Sequence, residues 1–211
     1  MAEVSVLYFE RAEYAARMTA VKERMSAEDI DVLVVTEPPN MYYLTGYDAY
    51  SFYVAQAVVV ALDLELPIWT GRFMDAVTAH STTYLPSDHI VPYTDHYVQS
   101  TERHPMTFIG NLIADKGWGN ASIGVEMGAP YYSARSHSEL QKALPNARFR
   151  DAELLVNWVR IVKSEQELEY MRAAGETTDR MVAAAASVAH PDIRECDLAS
   201  AIVEVQLKGT E

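Results

Sequence analysis

Residues 30–46 read IDVLVVTEPPNMYYLTG. The run DVLVVT (31–36) is short, apolar and rich in β-branched residues, which predicts a buried strand. Pro38, Pro39 and Asn40 break it, and residues 41–45 form a helical turn stopped by Gly46. Upstream, residues 10–30 carry Tyr14, Met18, Val21 and Met25 at i, i+4, i+7 and i+11, the apolar stripe of a helix. Downstream, VAQAVVVA (54–61) reads as a second buried strand, and a third begins at residues 67–69. Helix follows at 73–80, then a short strand at 90–93.

The alternation continues. Residues 105–116 read as a helix with Pro105 at its start and Gly117 at its end. Residues 122–125 are strand-like, and 133–144 helical with Ser136-x-x-Glu139 near the start. Residues 148–151 form a short edge strand. Strands alternating with helices of about ten residues argue for an α/β fold, a mixed sheet flanked by helices.

Near residue 160 the pattern changes. Ser164-x-x-Glu167 is a capping box opening a long helix that Pro191 ends. Asp192-x-x-Glu195 opens a second, reaching Lys208 and Gly209. These helices either dock back on the α/β block or begin a second domain. We take the second view and divide the chain at 1–160 and 161–211. Cys196, on an Ala-rich helix, is expected to be buried rather than nucleophilic.

The composition narrows the function. The chain has 211 residues, 49% apolar and 22% charged, and a net charge of −13. Between Arg24 and Arg72 there is no Lys or Arg but seven acids. A phosphate backbone or an anionic membrane needs a basic footprint, so neither partner is expected. No apolar run reaches the about 18–20 residues of a membrane span. The N-terminal MAEVSVLYFERAEY lacks the basic-then-apolar pattern of an export signal, and a single cysteine excludes internal disulfides and Cys-based zinc sites. A cytoplasmic location is the expectation.

Two segments are dense in chemistry. Residues 40–56 hold Tyr42, Tyr43, Tyr47, Tyr50, Phe52 and Tyr53, either a wall for a small ligand or core packing around a turn. Residues 95–105, DHYVQSTERHP, are a binding loop or a solvated cap for the helix at Pro105, with Thr101 or Arg103 at the cap. The six histidines are scattered; His96, His104 and Asp95 are the set close enough in sequence for a fold to gather around a metal. Phosphate-loop, nucleophile-elbow and HExxH motifs are absent. The residues thus describe a binding surface without a self-sufficient catalytic constellation.

Asn40-x-x-Tyr43-Leu44-Thr45-Gly46 after a strand, followed much later by Lys163-Ser164-x-x-Glu167 with Met171, Arg172 and Ala174, resembles the creatinase/prolidase family. The order and spacing match along the whole chain. Within that family the wording of SFYVAQ (51–56), GRFMDA (71–76), DHYVQSTERHPM (95–106), IGVEM (123–127) and LPNARFRDA with LVNWVR (144–160) is most similar to the ectoine-hydrolase branch. The resemblance implies a creatinase-type N-terminal domain followed by the first helices of a pita-bread catalytic domain. It implies hydrolysis of a C–N bond in a small zwitterionic cyclic amidine, opening ectoine to N-acetyl-diaminobutyrate. It also implies a homodimer in which this domain overhangs the partner's active site. The catalytic groups and any metal ligands would lie beyond residue 211, so no catalytic residue and no cofactor is expected in this chain, and it would be inactive alone. In creatinase the overhang supplies an aromatic and an arginine; here the aromatic is Phe52, and the arginine position falls on Val54. Arg72 or Arg103 is then the expected carboxylate partner. The expected substrate-binding set is Phe52, Tyr53, Gln56, Arg72, His96, Tyr97 and Arg103.

Overall fold

The computed structural model describes residues 7–209. The chain divides into two compact units, Met1–Ile161 and Val162–Glu211.

The first unit is built on a five-stranded sheet of order β3-β2-β1-β4-β5. Its strands are β1 (Val32–Val35), β2 (Ala57–Ala61), β3 (Ile68–Thr70), β4 (Ser122–Val125) and β5 (Arg148–Asp151). β2 runs antiparallel to β1 and to β3, while β4 is parallel to β1 and to β5. β1 and β2 are buried on both faces, as their unbroken valine runs require. Successive side chains alternate between faces. Leu33, Val35, Val58 and Val60 meet α1 (Arg11–Ala27), α2 (Pro38–Thr45), α3 (Ala76–Thr82) and α6 (Leu155–Arg160) on one side. Val32, Val34, Val59, Ile123 and Val125 meet α4 (Pro105–Ile113) and α5 (Ala134–Ala143) on the other.

Several elements differ from the sequence reading. Pro38 and Pro39 do end the strand, but they also start α2, filling first-turn positions that need no N–H partner. Gly46 stops it in the left-handed region at φ 81°. The strand expected at 90–93 is reduced to two isolated bridges, Trp69 with Ile90 and Arg72 with Tyr93; Pro92 offers no N–H to a ladder. α4 ends at Ile113 and passes into a wider turn, Ala114–Trp118, with Gly117 at φ 90°. α5 is capped by Ser133, whose Oγ accepts the Ser136 N–H, and not by Ser136. α6 went unread, because six residues entered through a left-handed Leu154 carry no periodic signal.

The second unit consists of α7 (Glu165–Val188) and α8 (Glu195–Lys208), packed against each other. Both arms of the Ser164–Glu167 capping box form. α8 opens two residues later than its Asp192-x-x-Glu195 pattern suggests: Asp192 is left-handed at φ 72°, and Arg194 takes the cap position and pairs with Asp197. Neither helix has a buried residue. Cys196 is exposed, contrary to expectation, in the first turn of a helix that buries none of its residues. No helix among the described residues is long and apolar enough to cross a membrane.

Candidate binding cleft

β1 and β4 are parallel, and the segment entering the antiparallel β2 starts beside their carboxyl ends, since Val35 pairs with Val58 and Val34 with Val125. A crevice outside the carboxyl ends of parallel strands is where open α/β sheets bind ligands. A cleft of about 310 Å³ lies there, walled by residues 51–56, 97–105 and 130–136, with Thr36, Pro38 and Met41 from the start of α2. That volume is ordinary for a small-molecule site.

The wall at 51–56 carries the aromatics. Phe52 is 82% exposed and stands edge-on to Tyr53 at 5.2 Å between ring centroids. The tyrosine cluster therefore divides: Tyr43 and Tyr47 are core, while Tyr50, Phe52 and Tyr53 face solvent. Gln56 is buried. Its Nε2 donates to Tyr47 Oη at 2.9 Å and to Asp75 Oδ2 at 2.7 Å, and its Oε1 has no partner among the described residues. Burial, with the Asp75 charge behind it, holds the Tyr47 phenol well above its ordinary value, so it remains a neutral donor and acceptor.

Arg72 is committed elsewhere. Its Nε and Nη2 donate to the two oxygens of Asp95 at 2.7 and 3.0 Å, and Nη1 donates to Tyr53 Oη at 3.1 Å. The guanidinium holds the Asp95 carboxyl below its usual range. This fork fixes the loop at 95 to the aromatic loop but leaves Arg72 outside the cleft lining. His96 is exposed and also outside it. The cleft thus gathers Phe52, Tyr53, Gln56, Tyr97 and Arg103 and excludes Arg72 and His96. Tyr97 is braced by Tyr93 and Phe108, with centroids 6.0 and 5.7 Å away.

His104 and Arg135 line the cleft as well. His104, not Thr101 or Arg103, caps α4: its Nδ1 accepts the Met106 N–H at 3.1 Å. That bond places the ring proton on Nε2. Burial and the Arg135 charge lower its pKa, against a smaller opposing pull from Glu139. A residue directly before a helix-starting proline is a cap position, and this is the sequence signal for His104. Arg135 had no comparable signal. Asp95 is paired with Arg72 and His104 caps α4, so the set His96, His104 and Asp95 does not gather. Among the described residues no group of three His, Cys, Asp or Glu could hold a metal.

Behind the cleft lies a buried polar network. Glu126, 3% exposed, accepts the Thr36 and Glu37 N–H groups at 2.6 and 2.9 Å, the second of them the unpaired donor at the N-cap of α2. Its other oxygen accepts Asn40 Nδ2 at 2.7 Å. Asn40 also donates to Asn157 at 2.8 Å and accepts Arg160 Nη1 at 2.7 Å, binding α2 to α6. Asn40 of the NxxYLTG signature is thus a structural anchor rather than a ligand group.

The model of the Creatinase/Prolidase N-terminal domain matches residues 17–162. An uncharacterised hydrolase/peptidase of Sinorhizobium fredii, y4tM, is 55% identical over 206 residues, 98% of this chain and 53% of that protein. The ectoine hydrolase of Halomonas elongata is 44% identical over 210 residues, 99% of this chain and 52% of that protein. The chain therefore spans about half the length of the curated relatives it matches. Among solved structures, dipeptidase PepE of Mycobacterium ulcerans superposes with TM-score 0.71 at 21% identity, covering 95% of this chain and 50% of that one. An Xaa-Pro dipeptidase of Bacillus anthracis does so with TM-score 0.71 at 14% identity, covering 92% and 49%. These two likenesses speak to the fold alone. With a mixed five-stranded sheet flanked by helices and a family match across its first unit, the chain belongs to the creatinase/prolidase family by its N-terminal domain.

Proposed function

We propose that this chain is the N-terminal half of a hydrolase that opens a C–N bond in a small cyclic amidine of the ectoine type, and that it supplies part of the substrate pocket rather than the reacting groups. The observation that carries this is the 44% identity to an ectoine hydrolase over 99% of the chain. The exposed pair Phe52 and Tyr53 supports it chemically. An amidinium is a flat cation, and an aromatic face contributes about 0.5–2 kcal/mol to holding one. In this reading the solvent-facing rim meets a second subunit in a homodimer, and α7 and α8 open the catalytic domain.

The test is turnover by a protein carrying this chain at the full length of its relatives. It is expected to convert ectoine to N-acetyl-diaminobutyrate, and the 211-residue chain alone is expected to convert nothing. A long protein that ignores ectoine and cleaves Xaa-Pro dipeptides makes the chain part of a prolidase instead. Micromolar binding of ectoine to this chain alone by calorimetry contradicts a pocket completed across two subunits.

A further inference from the structure

We propose that Arg103, His104 and Arg135 form a carboxylate clamp in the cleft, so that a small zwitterion binds there in one orientation, its acid on this wall and its cation at the Phe52–Tyr53 rim. The clamp rests on the reading of this cleft as the substrate's, and adds to it the groups that read the anionic end.

Three observations converge. First, the chain carries 30 acids against 17 Lys and Arg, yet two arginines line one 310 Å³ cleft. Second, neither is spent: Arg103 and Arg135 are exposed and make no ion pair among the described residues, unlike Arg72 on Asp95. Glu139, the acid whose charge reaches both His104 and Arg135, is held by Lys142 at 3.0 Å. Third, His104 keeps its Nδ1 on the Met106 N–H and so has an Nε2–H left to donate. Two guanidinium forks and one imidazole N–H match the lone pairs of a carboxylate. The starts of α4 and α5, at Pro105 and Ala134, add a favourable field at the same wall.

Burial first, and the Arg135 charge after it, already depress the His104 pKa. An anion seated between Arg135 and His104 offsets their repulsion, so by linkage it raises the His104 pKa. A purely structural pair of arginines gives no such response.

The experiment reads binding rather than turnover. The 211-residue chain, ¹⁵N-labelled, is titrated with acetate and with its neutral isostere acetamide at fixed ionic strength, following the His104 and arginine side-chain signals. Acetate is expected to shift them saturably in the millimolar range and to raise the His104 pKa, while acetamide does neither. R103A/R135A, two surface changes that leave the circular dichroism spectrum intact, abolishes the response. Equal responses to the two probes, or none saturable with acetate, overturn the clamp even if the longer protein hydrolyses ectoine. Saturable acetate binding in a protein that ignores ectoine sustains the clamp and overturns the functional reading. In an active long protein, R135A is expected to raise KM for ectoine by about 10- to 100-fold with kcat little changed; an unchanged KM overturns the clamp.

Discussion

The His104 imidazole caps α4 only while its Nδ1 is unprotonated, because that nitrogen accepts the Met106 N–H. Its pKa in the fold lies below the ordinary imidazole value, chiefly through burial. The folded chain therefore binds fewer protons here than the unfolded one. The contribution of His104 is fully present above the unfolded value of about 6.5 and is lost as pH falls through and below it. His104→Asn keeps an acceptor at the cap without titrating in this range. Urea denaturation from pH 7.5 to 5 should show wild type losing stability faster than H104N, with the two within about 1 kcal/mol at pH 7.5. Parallel curves would sink the assignment. Glu126 acts in the opposite sense: burial raises its pKa against the bonds from Asn40, Glu37 and Thr36. Its stabilisation is lost as pH rises through the carboxylate range, and comparing variant with wild type cancels it. At this scale the sequence was half legible. The residue types of a binding surface could be read, but whether a neighbour already holds a side chain could not. Arg72 looked as available as Arg103 until the fold brought Asp95 to it.

Among the elements, α2 shows how a signature motif can serve the fold. Its N-cap, Glu37, makes no side-chain cap, and the missing acceptor arrives from Glu126 at the end of β4. Asn40 completes that arrangement with no exposed surface of its own. Asn40→Ala leaves a buried carboxylate oxygen without its donor and removes the Arg160 acceptor, a cost of about 2–4 kcal/mol. The midpoint of urea unfolding should fall accordingly while far-ultraviolet circular dichroism stays native; a loss below about 1 kcal/mol would show that the network is dispensable. The strands were legible because β-branched runs with turn signals on both sides leave little alternative: residues 122–125 and 148–151 are strands as read. The caps were less so. Three of them, Ser133, His104 and Arg194, sit one to three residues from the best local pattern, since a cap is chosen by where tertiary packing lets the helix start.

At the scale of the molecule, Phe52 separates folding from function. The ring is 82% exposed and buries little apolar area within this chain, so truncating it removes almost nothing from the core. Phe52→Ala should leave stability within about 0.5 kcal/mol of wild type. Under the proposed function, in a protein of the relatives' length, the same ring closes over a substrate cation, and its loss removes about 0.5–2 kcal/mol of binding, a rise in KM of roughly 2- to 30-fold. The contrast with Tyr47, five residues away in the same aromatic run and 1% exposed, is the argument for this split. One ring spends its area on Trp69, 5.2 Å away between centroids, and the other has its area left to spend on something outside the chain. Steady-state kinetics with ectoine and a melting curve on the same F52A protein decide it. A raised KM with an unchanged melting temperature places Phe52 in the pocket, and unaltered kinetics with a lowered melting temperature make it core.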